Sequence, residues 1–98
     1  MSAITLMLEK DWDTLLEAQK WAELAQCLRS MVKLYKSGGQ LQARTRDIES
    51  RLAVLEANLN SVDPKARFSI VGHIIFARRA IDSSSTTDYG GAFRRGKN

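Results

Sequence analysis

The chain of 98 residues holds one cysteine, one histidine and one proline, and no apolar run longer than four residues, as at Ile74–Ala77. Each shortage excludes something. A lone cysteine, Cys27, cannot close an internal disulfide or supply a multi-thiolate metal site, and His73 lies far from it in the sequence. The expectation is therefore no metal and no cofactor, with Cys27 as a small apolar filler of a helix. Membrane-spanning helices need roughly 20 apolar residues, several times the longest run. The stretch Ile4–Leu8 is short and runs directly into Glu9, Lys10 and Asp11, unlike a secretory leader. These features read as a soluble, cytoplasmic protein.

Catalytic patterns are equally thin. Asp11 and Asp13 of the "DWD" stretch are two residues apart and point to different faces of a helix, which suits a solvated surface around Trp12 better than paired acid/base work. "KSGGQ" lacks the Lys-Ser/Thr pair of a phosphate-binding loop and has no strand before it. His73 follows Gly72 on an apolar segment, the setting of a hydrogen-bonded boundary histidine. The sequence thus offers no catalytic residue and reads as non-enzymatic.

What is present is helical periodicity. From about residue 2 to 36 the chain contains no Gly or Pro and is rich in Leu, Ala, Glu, Lys and Gln, all good helix formers. Trp21, Leu24, Leu28, Met31 and Tyr35 form one stripe; Leu8, Trp12 and Leu15 begin a second, continued by Ala18, Ala22 and Ala25. Unbroken, this helix would be roughly 50 Å long. Either the molecule is elongated or the helix breaks near Asp11–Asp13. Ser37-Gly38-Gly39 stops it.

A second helix, about 40–62, carries the sharpest repeat: Leu41, Thr45, Ile48, Leu52, Leu55, Leu59 and Val62 alternate spacings of 4 and 3. This is a heptad seam, interrupted only by Thr45. In a parallel two-stranded coil Arg44 would meet Glu49, and Arg51 would meet Glu56, so self-association through the seam is one expectation. Packing in an intramolecular hairpin is the other, favoured by the short Gly38-Gly39 connection.

A third helix, about 64–82, opens with Asp63 as cap and Pro64 at the first helical position. Ile70, Ile74, Ala77 and Ile81 form one line and Phe68, Val71 and Ile75 a neighbouring one, together a broad apolar face. The β-branched "FSIVGHIIF" also admits a strand, but the spacing continues as a helix through Phe76–Ile81. Past Asp82 it stops. Residues 1–82 thus read as one all-α domain, an elongated helical hairpin or three-helix bundle with coiled-coil-like packing. Residues 83–98, "SSSTTDYGGAFRRGKN", read as a flexible, irregular C-terminal tail.

Charge is distributed unevenly. Five basic residues balance five acidic ones from Met1 to Lys36, and three balance three from Ser37 to Val62. From Asp63 onward seven basic residues face three acidic ones, so the last third carries the whole net charge of +4. Its groups Arg78, Arg79, Tyr89, Phe93, Arg94, Arg95 and Lys97 are the candidate partner-binding residues, because Arg and aromatic side chains recur as interface anchors. The function expected is that of an interaction or assembly protein: a small adaptor, chaperone-like factor or minor component of a larger complex, docking through its basic-aromatic tail and able to associate with itself. Nucleic-acid binding through the basic last third is the alternative, since basic groups neutralise phosphates while aromatics offer stacking faces.

Overall fold

A computed structural model describes residues 3–88, with side chains as far as residue 83. Four α-helices follow one another among the described residues: α1 (Ala3–Glu17), α2 (Trp21–Ser37), α3 (Thr45–Ala57) and α4 (Pro64–Asp88). Short 3₁₀ turns at Gln42–Arg44 and Leu59–Ser61 flank α3, and no strand occurs among these residues. The described residues form an all-helical bundle, and "FSIVGHIIF" lies within α4.

The expected first helix is in fact two. It breaks at Ala18–Lys20, not at Asp11–Asp13. The Lys20 amide donates to the Leu15 carbonyl at 3.0 Å and the Gln19 amide to the Leu16 carbonyl at 3.0 Å. Gln19 takes a positive φ of 56°. This is the Schellman stop that glycine usually provides, built here on a residue for which the left-handed conformation is unfavourable. The end of α2 repeats the same pattern in its usual form. The Gln40 amide donates to the Tyr35 carbonyl at 2.8 Å and the Gly39 amide to the Lys36 carbonyl at 3.2 Å, with Gly39 at φ +71°.

The break folds α1 back on α2, so the second stripe does not continue across it: Ala18 and Ala22 are exposed. The expected helix over 40–62 is also shorter, with 3₁₀ geometry at both ends of α3. At the start of α4, the Asp63 carbonyl accepts the first intrahelical bond from the Arg67 amide at 3.0 Å, and Pro64 gives up no bond there. The helix then runs six residues beyond Asp82, where the apolar spacing ends. Ser83–Thr87 are weak helix formers but contain neither Gly nor Pro, so no residue there blocks continuation of the established helix.

α2 is the centre of the molecule. Leu24, Ala25, Cys27, Leu28, Met31, Val32 and Tyr35 are all buried along it. Trp12 of α1 packs against this helix, as do Ile48, Leu52 and Leu55 of α3 and Ile70, Ile74, Ala77 and Ile81 of α4. Seven buried side chains on one helix require neighbours that cover it from several sides. The heptad seam accordingly lies inside the single chain: Leu41, Ile48, Leu52 and Leu55 are buried, and Leu59 and Val62 pack against the same core.

The result is flat rather than round, with extents of 46 × 33 × 16 Å and a radius of gyration of 14.8 Å, against about 13 Å for a compact chain of this length. A flat bundle leaves its outer helices half covered. That consequence fixes where the candidate surfaces lie.

Candidate functional site

The two reactive side chains are apart and each is held quiet. Cys27 donates its thiol to the Leu8 carbonyl at 3.5 Å. Burial pushes its pKa up, the nearby Asp11 adds to the rise, and Arg51 partly offsets both. A protonated thiol is a poor nucleophile and metal ligand. His73 Nδ1 lies 3.4 Å from Nη1 of Arg29, whose guanidinium sits 4.1 Å over the Phe76 ring. A guanidinium only donates, so Nδ1 accepts and the ring proton sits on Nε2. Burial first, and the Arg29 charge second, lower the His73 pKa and favour the neutral ring. No group of three or more His, Cys, Asp or Glu among the described residues could hold a metal ion. None of their helices is long and apolar enough to cross a membrane.

A polar seam joins α1, α2 and α3. Arg51 bonds Asp47 one turn earlier and lies 5.1 Å over the Trp12 ring. Arg44 lies 5.0 Å over Tyr35 and 3.9 Å from Glu9. The arginines expected to face glutamates of a second chain are therefore engaged within their own. The Tyr35 hydroxyl is buried and has no protein partner. Desolvation raises its pKa, the negative charge of Asp47 adds to that, and Arg44 opposes it.

The Arg78-Arg79 doublet divides. Arg78 forks onto Glu56 of α3, with Nε 3.1 Å from Oε2 and Nη2 2.8 Å from Oε1. Arg79, 100° further round α4, is exposed and has no ion-pair partner among the described residues. Tyr89, Phe93, Arg94, Arg95 and Lys97 lie outside the described residues.

The broad apolar face expected on the last helix also divides. Its line of Ile70, Ile74, Ala77 and Ile81 is buried against α2 and α3. The neighbouring line points outward. Phe68 is 87% exposed and Ile75 45% exposed. Two shallow grooves run along this outer face: one of about 320 Å³ lined by Pro64, Arg67, Phe68 and Val71, and one of about 400 Å³ that includes Lys36, Gly72, Ile75, Phe76 and Arg79. The charged side chains lining both are all cationic.

Gly72 sits in the middle of this face, and a Cβ built there would meet nothing within 4 Å. A glycine inside a helix is less stable than alanine by roughly 0.5–1 kcal/mol. Packing within the chain gives no reason for that sacrifice, whereas a bare backbone lets an external surface approach closely.

A second uncovered surface lies on α1. Ile4 and Met7 are 58% and 62% exposed. They share a helix face with Leu8 and Asp11, at the edge of a groove of about 430 Å³ between α1 and α2. Its charged lining residues are Asp11 and Glu23, both acidic, beside Thr14, Gln26 and Ser30. Periodicity alone gave no sign of this surface, because the two stripes of the unbroken helix concealed that α1 buries only Thr5 and Trp12.

No protein-family model, curated protein or solved structure matches this chain.

Proposed function

We propose that the protein is a non-enzymatic helical adaptor or assembly component that binds a protein partner through the outer face of α4, continued by the basic-aromatic residues Tyr89–Asn98. The supporting observation is Phe68, an aromatic side chain 87% exposed in line with Val71, Ile75 and Arg79. Isolated exposed apolar residues are ordinary, but a continuous stripe with a cationic rim has the composition of a docking surface. The bundle holds α4 rigid through its buried line, and the outer line remains available. Arg78 then serves the bundle through Glu56, whereas Arg79 serves the surface.

The cationic lining also supports a second reading, binding of nucleic acid along the same face. Neutralising several phosphates would make such binding fall steeply with salt, on the order of 10³-fold between 50 and 200 mM for six contacts.

Pull-down from the native cell lysate separates these readings. Bait proteins are the wild type, Phe68→Ala, and the chain lacking Tyr89–Asn98. The adaptor reading expects a defined protein partner that is retained after nuclease treatment and lost with Phe68→Ala, with a weaker signal for the shortened chain. Nucleic acid as the captured species, lost at moderate salt, favours the second reading. Capture unaltered in both variants removes α4 and the C-terminal residues from the interface.

A further inference from the structure

We infer that one occupant of the α4 face is a second copy of this chain, docked head to tail: the cationic outer face of α4 on one copy seats against the acidic α1–α2 groove of the next. This rests on the reading of α4 as a docking surface and adds the identity of a partner.

Charge complementarity selects the pairing. The α4 face offers Phe68, Val71 and Ile75 among Lys36, Arg67 and Arg79. The other surface offers Ile4, Met7, Leu8 and Leu15 beside Asp11 and Glu23. A two-fold contact of α4 with α4 would oppose cations to cations, and one of α1 with α1 would oppose carboxylates. Only the crossed arrangement sets the lining cations against the lining carboxylates. Lys36, Arg79, Asp11 and Glu23 have no ion-pair partner among the described residues, so each is available to the other copy.

Shape agrees with charge. Phe68 projects almost wholly into solvent, while the α1–α2 groove is a concavity of about 430 Å³ with Leu8 and Leu15 in its lining. Gly72, with open space where a side chain would stand, allows the neighbouring backbone to come close. The two surfaces share no residue, so one copy can use both at once. A contact of this heterologous kind produces closed rings or open chains of subunits, whereas a face that pairs only with itself stops at two.

Sedimentation of the full chain over a range of concentrations tests the arrangement, using two variants that each disable one surface. Phe68→Glu disables the α4 face and Met7→Glu the α1 face; both sites are exposed, and circular dichroism checks that helicity is retained. The wild type is expected to exceed the mass of two chains as concentration rises, with association weakening as salt screens the opposed charges. Each variant alone should stay at the mass of one chain. An equal mixture should form a species of two chains and nothing larger, because only one complementary contact remains. Dimerisation of Met7→Glu by itself would overturn the crossed pairing in favour of α4 on α4. A wild type monomeric throughout its soluble range would overturn self-docking and leave the adaptor reading to its own partner capture. Self-association unchanged in Phe68→Glu would overturn both.

Discussion

Arg78 and Glu56 join α4 to α3 through a forked contact, Nη2 to Oε1 at 2.8 Å and Nε to Oε2 at 3.1 Å, while Arg79 one residue later makes no such bond. Adjacent arginines on a helix point in directions 100° apart, so one doublet supplies a structural clamp and a free surface charge. Both partners of the clamp are more than a third exposed. Arg78→Ala should therefore destabilise the fold by only about 0.2–1 kcal/mol, and Arg79→Ala by less. Urea denaturation of the two variants distinguishes them.

The core leucine of the seam sets the upper end of the scale. Leu52 has no exposed surface in the single chain. Leu52→Ala should cost about 2–5 kcal/mol, as for other buried leucines truncated in place. Because the side chain is covered intramolecularly, the loss measured by denaturation should not change with protein concentration.

The two helix stops make an opposite pair of substitutions. Gln19→Gly relieves a left-handed residue of its Cβ clash, worth roughly 1–2 kcal/mol, less the extra entropy of glycine in the unfolded chain. A net gain of about 0.5–1 kcal/mol is expected. Gly39→Ala introduces that clash, since φ is +71° there, and should destabilise by a similar amount. Thermal melts followed by circular dichroism report both signs.

How much of this was legible in the residues follows from the same positions. Glycine at 39 announces the end of α2, because its conformational freedom is a property of the residue itself. Gln19 announces nothing: the residue has no intrinsic preference for the left-handed region, and its conformation accompanies the return of α1 onto α2. The seam from Leu41 to Leu55 could be read because a spacing of 3 and 4 aligns side chains on any helix. Periodicity could not say which apolar line of α4 faces inward, since Ile70–Ile81 and Phe68–Ile75 repeat alike. Only the position of α2 decides that, so the outer face became visible with the fold. The division of Arg78 from Arg79 likewise depends on where Glu56 stands.

His73 gives the fold a pH dependence of known sign. Its pKa is lowered in the folded protein by burial and by Arg29, relative to an ordinary value of 6.5. The unfolded chain therefore binds the proton more readily. The His73 contribution is fully present above pH 6.5 and is lost as the pH falls through the folded value. The wild type should lose melting temperature on acidification below that point by more than His73→Gln does. Parallel melts across pH 5 to 8, on the range in which histidine titrates, measure the difference.

Gly72→Ala separates stability from binding. The added methyl meets open space, so helix propensity should raise stability by about 0.5–1 kcal/mol. The same methyl stands where a docked surface must approach, and association should weaken. A melt combined with a binding isotherm reads both. Increased stability with undiminished association would mean that the partner does not cover Gly72.

The central claim is that the outer face of α4 is where the protein meets its partner, and amide chemical shifts of the labelled wild type, recorded with and without the protein it captures, test it most directly. The account predicts that shifts concentrate on Phe68, Val71, Gly72, Ile75 and Arg79, while Ser50 and Ala53 on the exposed side of α3 remain unmoved. Shifts gathered on α3 with α4 unchanged would contradict it.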